Sequence, residues 1–171
     1  EFKELYQEEN DIETKEFVKD LQIDTDFELL FPDDYINSVN ERLNLYNELG
    51  NVKDEEGLLA YEQKLIDRFG PLPKEAQALL NSIRIKWIAT RLGIEKLIMK
   101  QDKMIGYFVG DQQSDYYQSA RFHKVLQFVQ QNGNLCKMKE KETKSGLRLL
   151  LTFENVKSIK KALELMEMME R

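Results

Sequence analysis

The sequence contains few of the residues that commit a chain to a special environment. Its 171 residues include one cysteine, Cys136, one histidine, His123, and three prolines. A single cysteine cannot form an internal disulfide, which favours a reducing, cytoplasmic location. No apolar run approaches the roughly 18 residues that a membrane-spanning helix needs. We therefore expect no disulfide framework and no membrane partner.

Motifs for catalysis and cofactor binding are also missing. No glycine-rich loop is followed by Lys-Ser or Lys-Thr, so the chain lacks the usual phosphate cradle for ATP. His123 alone cannot supply the three or four ligands of a zinc site. Cys136 lies in a strand-like segment, where a thiol without a positioned base is a core residue and not a nucleophile. We expect no catalytic residue, no metal and no cofactor.

The chain also lacks an excess of basic residues. The chain has 25 Lys and Arg residues against 31 Asp and Glu residues, which gives a net charge of −6. Nucleic-acid binding is favoured by a basic surface, so this charge balance argues against a DNA-binding role for the chain as a whole. A hydrophobic fraction of 42% is typical of a globular domain, and a chain of this length buries roughly 70% of its unfolded surface.

The first half of the chain shows mainly helical patterns. A short strand is expected over residues 26–31, ended by Pro32, and three helices follow. Asp33 or Asp34 is the expected N-cap of the first helix and Asp54 that of the second. The buried positions are expected to be Ile36, Val39, Leu43 and Tyr46 in the first helix, Leu58, Tyr61, Leu65 and Phe69 in the second, and Ala76, Leu80, Ile83 and Trp87 with Ile85, Ala89 and Leu92 in the third.

The second half of the chain shows strand patterns bracketed by helices. Residues 94–99 and 104–109 are expected to form one hairpin, and residues 136–141 and 147–153 a second one through Ser145-Gly146. Helices are expected around Phe122–Val129, ended by Asn132-Gly133, and around Val156–Met166. The predicted fold class is α+β: helices followed by a small, mainly antiparallel sheet flanked by helices.

The segment Leu65–Pro73 is the most distinctive part of the chain. Gly70 can take the left-handed conformation that closes a helix, and Pro73 suits the start of the next one. Asp67, Arg68 and Phe69 lie in the last turn before this corner. Since Phe69 shares the buried stripe, the Asp67 and Arg68 side chains project away from it. They form either a surface charge pair beside a core phenylalanine or a docking edge.

Two charged groups suggest other functions. Asp24, Asp26, Asp33 and Asp34 could hold magnesium or perform acid–base chemistry, although helix capping explains the last two. The second hairpin carries the one basic cluster, Lys137, Lys139, Lys141, Lys144 and Arg148. Alternation places much of this charge on one face, although Glu140, Glu142, Glu154 and Asp115 lie near in sequence. The face is either a solvated sheet surface or a nucleic-acid contact.

Several segments together resemble the C-terminal domain of the bacterial transcription-repair coupling factor. They are Asp24-Thr-Asp-Phe-Glu-Leu-Leu-Phe-Pro-Asp-Asp-Tyr-Ile36, Arg42-Leu43, Leu45-Tyr46, Asp67-Arg68-Phe69-Gly70 and Arg91-Leu92-Gly93-Ile94, in that family's order and spacing. The resemblance is specific over about residues 21–97 and is one of pattern and length over residues 98–171. It implies that residues 1–20 are a helical connection from a preceding motor and that residues 21–171 are the C-terminal regulatory, autoinhibitory domain.

The resemblance also implies a function without catalysis. In that family the parent protein is an ATP-dependent DNA translocase that removes stalled RNA polymerase and recruits nucleotide excision repair. The domain would dock on the N-terminal damage-recruitment module of the same protein, which hides the surface for the damage-recognition subunit and restrains the motor. RNA polymerase and duplex DNA would be indirect partners, bound through other domains. Such a latch needs a few kcal/mol of differential contact.

The implied docking residues are Lys64, Asp67, Arg68 and Phe69, with Phe69 as a spacer beneath the two charges. Relatives often have an acid at the position of Lys64, so the acidic pair of the family is broken here. Two other functions stay open: a nucleic-acid-binding accessory domain that uses the basic hairpin of residues 137–148, and a small hydrolase that uses the aspartates.

Overall fold

The computed structural model describes residues 17–171, which form five α-helices and one five-stranded sheet. The helices are α1 (Val39–Gly50), α2 (Glu55–Phe69), α3 (Lys74–Leu92), α4 (Ala120–Gln131) and α5 (Ile159–Glu170), and the strands are β1 (Gln22–Thr25), β2 (Ile94–Lys100), β3 (Lys103–Phe108), β4 (Cys136–Thr143) and β5 (Gly146–Phe153). The α+β prediction is confirmed. The connecting helix expected over residues 1–20 falls largely outside the described residues.

The chain divides into two compact units. Residues 28–84 form a helical unit, and the described residues 17–27 with 85–171 form a sheet unit. The boundary falls inside α3, between Arg84 and Ile85. No helix among residues 17–171 is long and apolar enough to cross a membrane.

The N-cap predicted from the sequence is found at α2 but not at α1. The Asp54 carboxylate accepts a 2.8 Å hydrogen bond from the Gly57 N–H, as expected for α2. The cap of α1 is Ser38, so the expectation of Asp33 or Asp34 was wrong. The reason is a turn in which the Tyr35 and Ile36 N–H groups both bond to the Pro32 carbonyl. This turn uses the two aspartates as turn residues and delays the helix.

The buried face expected for the first helix was wrong at Val39 and Leu43, although Ile36 is buried and Tyr46 is half-buried. Val39 and Leu43 are 61% and 55% exposed, whereas Leu45 and Leu49 are buried. The rotation follows from α2, because the Tyr61 hydroxyl donates a 2.7 Å hydrogen bond to the Leu45 carbonyl and so holds α2 against that side. In α2 the expected residues Leu58, Tyr61 and Leu65 are buried, and Phe69 is half-buried. In α3 the expected residues Ala76, Leu80, Ile85, Ala89 and Leu92 are buried. Ile83 and Trp87 were also expected to be buried, but they are half-buried.

The strand expected over residues 26–31 was wrong, because pairing occurs earlier and stops at Thr25. Strand β1 runs parallel to β2, from Gln22 opposite Lys96 to Thr25 opposite Met99. The Thr25 hydroxyl then donates to the Met99 carbonyl at 2.8 Å and accepts from the Phe27 N–H at 3.1 Å. These bonds bend the chain out of the sheet.

The remaining strands form the two predicted hairpins. The sheet order is β1-β2-β3-β5-β4, and all pairs except β1–β2 are antiparallel. Gln101 and Asp102 join β2 to β3 with positive φ values of 53° and 62°. Two consecutive positive φ values are the geometry of a two-residue hairpin turn.

One face of the sheet carries the core of its unit. Its buried residues include Leu97, Met99, Met104, Phe108, Leu151, Phe153 and Cys136. Helix α4 packs against α5 and β4. In and just before α5, Val156, Ile159, Leu163 and Met166 are buried.

Gly93 and Tyr116 make the tightest contact in the sheet unit. Gly93 has a φ of +87°, and a Cβ added there would lie 2.2 Å from a ring carbon of Tyr116. The Tyr116 side chain is fully buried, and its hydroxyl donates to the Leu92 carbonyl at the end of α3. Burial raises the pKa of this phenol, which keeps it a neutral donor at pH 7. Only glycine therefore fits between α3 and β2.

We predict that Gly93→Ala destabilises the protein by roughly 2–5 kcal/mol, the sum of left-handed backbone strain and steric overpacking. Chemical denaturation followed by circular dichroism measures this loss. Gly133→Ala is the matched control, since a Cβ there meets nothing within 4 Å. Equal stabilities of the two variants would contradict the role assigned to Gly93.

Candidate docking edge

The corner that follows α2 has the predicted backbone. Helix α2 ends at Phe69, and Gly70 adopts a φ of +93°. The Gly70 N–H bonds to the Ile66 carbonyl at 2.9 Å. The next helix begins at Lys74, and the Gln77 N–H bonds to the Pro73 carbonyl at 3.0 Å. The helix stop and the helix start are both confirmed.

Tyr35 holds this corner in place. Its hydroxyl lies 2.8 Å from the Gly70 carbonyl oxygen and 3.3 Å from that of Leu65. Its ring lies 5.7 Å from the ring of Phe69, centroid to centroid. The last carbonyls of a helix have no partner within the helix, so the tyrosine hydroxyl satisfies a group that would otherwise face water. The sequence pattern did not reveal this contact, which joins residues 35 positions apart.

The three charged residues of the edge point outward, and each has a partner. Lys64 Nζ bonds to both carboxylate oxygens of Glu48, at 2.8 and 2.9 Å. Asp67 Oδ1 accepts a 2.8 Å hydrogen bond from the Gln63 side chain, one turn earlier on α2. Arg68 forms an ion pair with Glu41 of α1. We call Lys64, Asp67 and Arg68 the charged edge.

An open depression lies along the charged edge, and Ala60 and Gln63 complete its lining. The side chains of Lys64 and Arg68 are 51% and 57% exposed. Ion pairs at such exposure contribute about 0–1 kcal/mol. These ion pairs therefore restrain the two side chains only weakly.

Phe69 lies beside the charges and only partly beneath them. The ring is half-buried, and the Arg68 guanidinium carbon lies 5.2 Å from its centroid. Such a cation–π contact at an exposed site contributes about 0.5–1 kcal/mol. Phe69 is therefore placed between Tyr35 and Arg68, where it can set the position of the guanidinium.

Three of the four aspartates of the hydrolase hypothesis have separate partners. Asp24 pairs with Lys100 at 2.9 Å, Asp26 accepts from the Gln101 N–H at 3.1 Å, and Asp33 pairs with Arg42 at 3.3 Å. Within residues 17–171, no group of three or more His, Cys, Asp or Glu residues is arranged to hold a metal ion.

The two remaining single residues have structural positions. His123 is exposed on α4, and its Nδ1 lies 2.7 Å from the Ser119 carbonyl oxygen. Cys136 is 4% exposed at the start of β4, and burial raises the pKa of its thiol. A buried thiol with a raised pKa is a poor nucleophile.

Comparison with known proteins identifies a family. A protein-family model described as "TRCF domain" matches residues 25–119, more than half of the chain. The transcription-repair-coupling factor of Escherichia coli K12 is 46% identical over 68 residues, which are 40% of this chain and 6% of that protein. The factor of Buchnera aphidicola subsp. Acyrthosiphon pisum is 30% identical over 141 residues, which are 82% of this chain and 16% of that protein. The chain thus spans less than a fifth of the length of these relatives.

A solved structure has the same fold. It is described as the crystal structure of the C-terminal domain of transcription-repair coupling factor. The two chains superpose with a TM-score of 0.65 and 16% sequence identity, over 88% of this chain and 92% of the other. At this identity the likeness concerns the fold.

We predict that Lys64→Glu lowers stability by up to about 1 kcal/mol, because it places a second carboxylate against Glu48. Urea denaturation at low salt measures the change. The double variant Lys64→Glu with Glu48→Lys restores the pair with reversed polarity and should recover most of the loss. No recovery would show that the Lys64–Glu48 contact does not stabilise the fold.

Proposed function

The chain belongs to the TRCF domain family, and we propose that it is a regulatory docking domain that restrains a larger coupling factor by binding another part of it. The observation that carries the proposal is the charged edge, whose side chains are exposed while the backbone beneath them is held by Gly70 and Tyr35. A pre-positioned, solvent-facing set of charges suits a contact that must form and open repeatedly.

The chemistry of the edge supports a reversible contact. Asp67 has a second carboxylate oxygen, and the Arg68 guanidinium has five N–H groups of which Glu41 engages only part. Both residues can therefore bind a partner without first leaving their present contacts. Lys64 differs, because Glu48 engages its ammonium through both oxygens. In our proposal Asp67 and Arg68 make the contact, and Lys64 replaces the acidic residue of relatives with an internal pair.

The proposed partner is the N-terminal damage-recruitment module of the same polypeptide. Docking there would cover the surface that recruits the excision-repair damage-recognition subunit and would hold the DNA translocase motor in a less active state. RNA polymerase stalled at a lesion would release the contact. Energetically this is a two-state equilibrium, in which a ligand that binds only the open form shifts the population.

We predict that Asp67→Ala with Arg68→Ala, made in the full-length protein, raises both its ATPase activity and its binding of the damage-recognition subunit. Losing about 1–2 kcal/mol of contact would shift the closed–open equilibrium about 5- to 30-fold. The matched control is Asp34→Ala with Lys53→Ala, since these residues are also exposed and carry the same two charges. Steady-state ATP hydrolysis and pull-down of the subunit are the two measurements.

The fold must survive for this test to be meaningful. In the 171-residue chain the double variant should melt within about 4 °C of the parent, because surface substitutions usually change stability by less than 0.5 kcal/mol. If both variants fold and neither raises ATPase activity or subunit binding, the charged edge has no part in restraint.

A second expectation concerns the chain by itself. We predict that it hydrolyses no ATP, because its sequence has no glycine-rich phosphate cradle. A phosphate-release assay at millimolar ATP measures this. Turnover that persists through several purification steps and is lost on heat unfolding would show that the chain is an enzyme.

A further inference from the structure

The charges of the hairpin β4–β5 are sorted between the two faces of the sheet. Lys137, Lys139 and Lys141 alternate along β4 and share one face, while Glu140 and Glu142 lie on the other. Glu140 and Glu142 therefore do not pair with these lysines, because their side chains lie on the opposite face of the sheet. None of the three forms an ion pair with another residue of the described range 17–171. We call these three residues the lysine row.

A groove of about 500 Å³ lies beside the lysine row. Lys103, Lys137, Lys139 and Lys161 stand on its wall, and Ile105 and Leu150 contribute apolar surface to its lining. Glu154 also lines it and lies 3.6 Å from Lys103. The groove therefore combines an excess of positive charge with an apolar floor.

An aromatic residue continues this face. Leu150 of β5 is paired with Tyr107 of β3 on one side and with Lys139 of β4 on the other, so the three residues lie in one row across the sheet. Lys96 Nζ and the Arg148 guanidinium carbon lie 5.8 and 5.9 Å from the Tyr107 ring centroid. The Tyr107 ring is half-buried and flanked by two cations.

We propose that the groove binds single-stranded nucleic acid, with phosphates on the lysine row and a base against Ile105 and Leu150. Alternate residues of a strand are about 6.6 Å apart, so the row presents evenly spaced charges that call for a ligand with a repeating anion. A single strand offers phosphates and a base face together. Single-strand binding sites combine a positively charged groove with aromatic side chains, and here Tyr107 is the aromatic residue of the same sheet face.

Two features favour this occupant over the alternatives. A duplex hides its base faces, whereas a single strand can place one base in a groove of about 500 Å³. A small ligand with a single anion would leave most of the lysine row unused, whereas a strand can place one phosphate near each ammonium.

The experiment is a titration of fluorescein-labelled (dT)20 with the 171-residue chain, followed by fluorescence anisotropy at 50 and 200 mM NaCl. Three phosphate contacts predict a slope of about −2 in log affinity against log salt, or about a 20-fold loss of affinity over this range. Because the net charge of −6 opposes binding, the lower salt concentration is the working condition.

The decisive variant replaces the lysine row with glutamine. The matched control is Lys19→Gln with Lys86→Gln and Lys124→Gln, three exposed lysines of the same unit that do not line the groove. We expect the first triple variant to bind at least tenfold more weakly and to lose most of the salt dependence. The control, with the same net charge, should bind within about twofold of the parent.

Other probes separate the alternatives. Duplex DNA of the same length and poly-L-glutamate should bind at least tenfold more weakly than (dT)20. Tighter binding of the duplex would overturn the single-strand assignment, and tighter binding of poly-L-glutamate would assign the groove to an acidic protein. Equal losses in the two triple variants, or no binding of (dT)20 at 50 mM NaCl, would overturn the proposal.

Discussion

The hydroxyl of Tyr116, bonded to the last carbonyl of α3, is the contact around which the sheet unit is arranged. A helix that ends inside a protein leaves carbonyls that must find a donor. Tyr116 supplies that donor, and its ring fills the space in which any side chain at position 93 would lie. Gly93 can then turn the chain directly into β2. The rings of Phe108 and Phe122 pack on Tyr116 and connect this turn to β3 and α4.

The helical unit uses the same interaction at two other places. Tyr35 bonds to the Gly70 carbonyl at the end of α2, and Tyr61 bonds to the Leu45 carbonyl within α1. The first contact positions the helix end that presents Asp67 and Arg68, and the second decides which side of α1 is buried. The candidate docking surface thus depends on tyrosines that take no part in docking. Charges on a fixed helix end lose little conformational freedom on binding, which lowers the entropic cost of a weak contact.

Sequence patterns predicted most elements of the fold. They were wrong where a long-range contact determines the end of a strand or the buried side of a helix. Both hairpins, the corner at Gly70 and the C-terminal helix follow from alternation, helical spacing and glycine placement, which are local properties. The strand expected over residues 26–31 was wrong because the Thr25 hydroxyl ends the pairing with β2. Val39 and Leu43 were expected to be buried because periodicity finds an apolar stripe but does not say which side meets a neighbour. The exposure of Asp67 and Arg68 was predictable from the stripe, whereas the pairing of Arg68 with Glu41 of α1 and the support from Tyr35 depend on tertiary packing.

The position of Cys136 makes its thiol a reporter of local opening of the sheet. It is the one thiol in the sequence, and it is covered at the start of the edge strand β4. Because Cys136 is 4% exposed, an alkylating reagent reacts with its sulfur mainly when the N-terminal end of that strand opens, and burial raises the pKa of the thiol while the strand is closed. The rate of covalent labelling in native buffer therefore reports how often this part of the sheet opens. No engineered thiol is needed, because Cys136 is the one cysteine in the sequence.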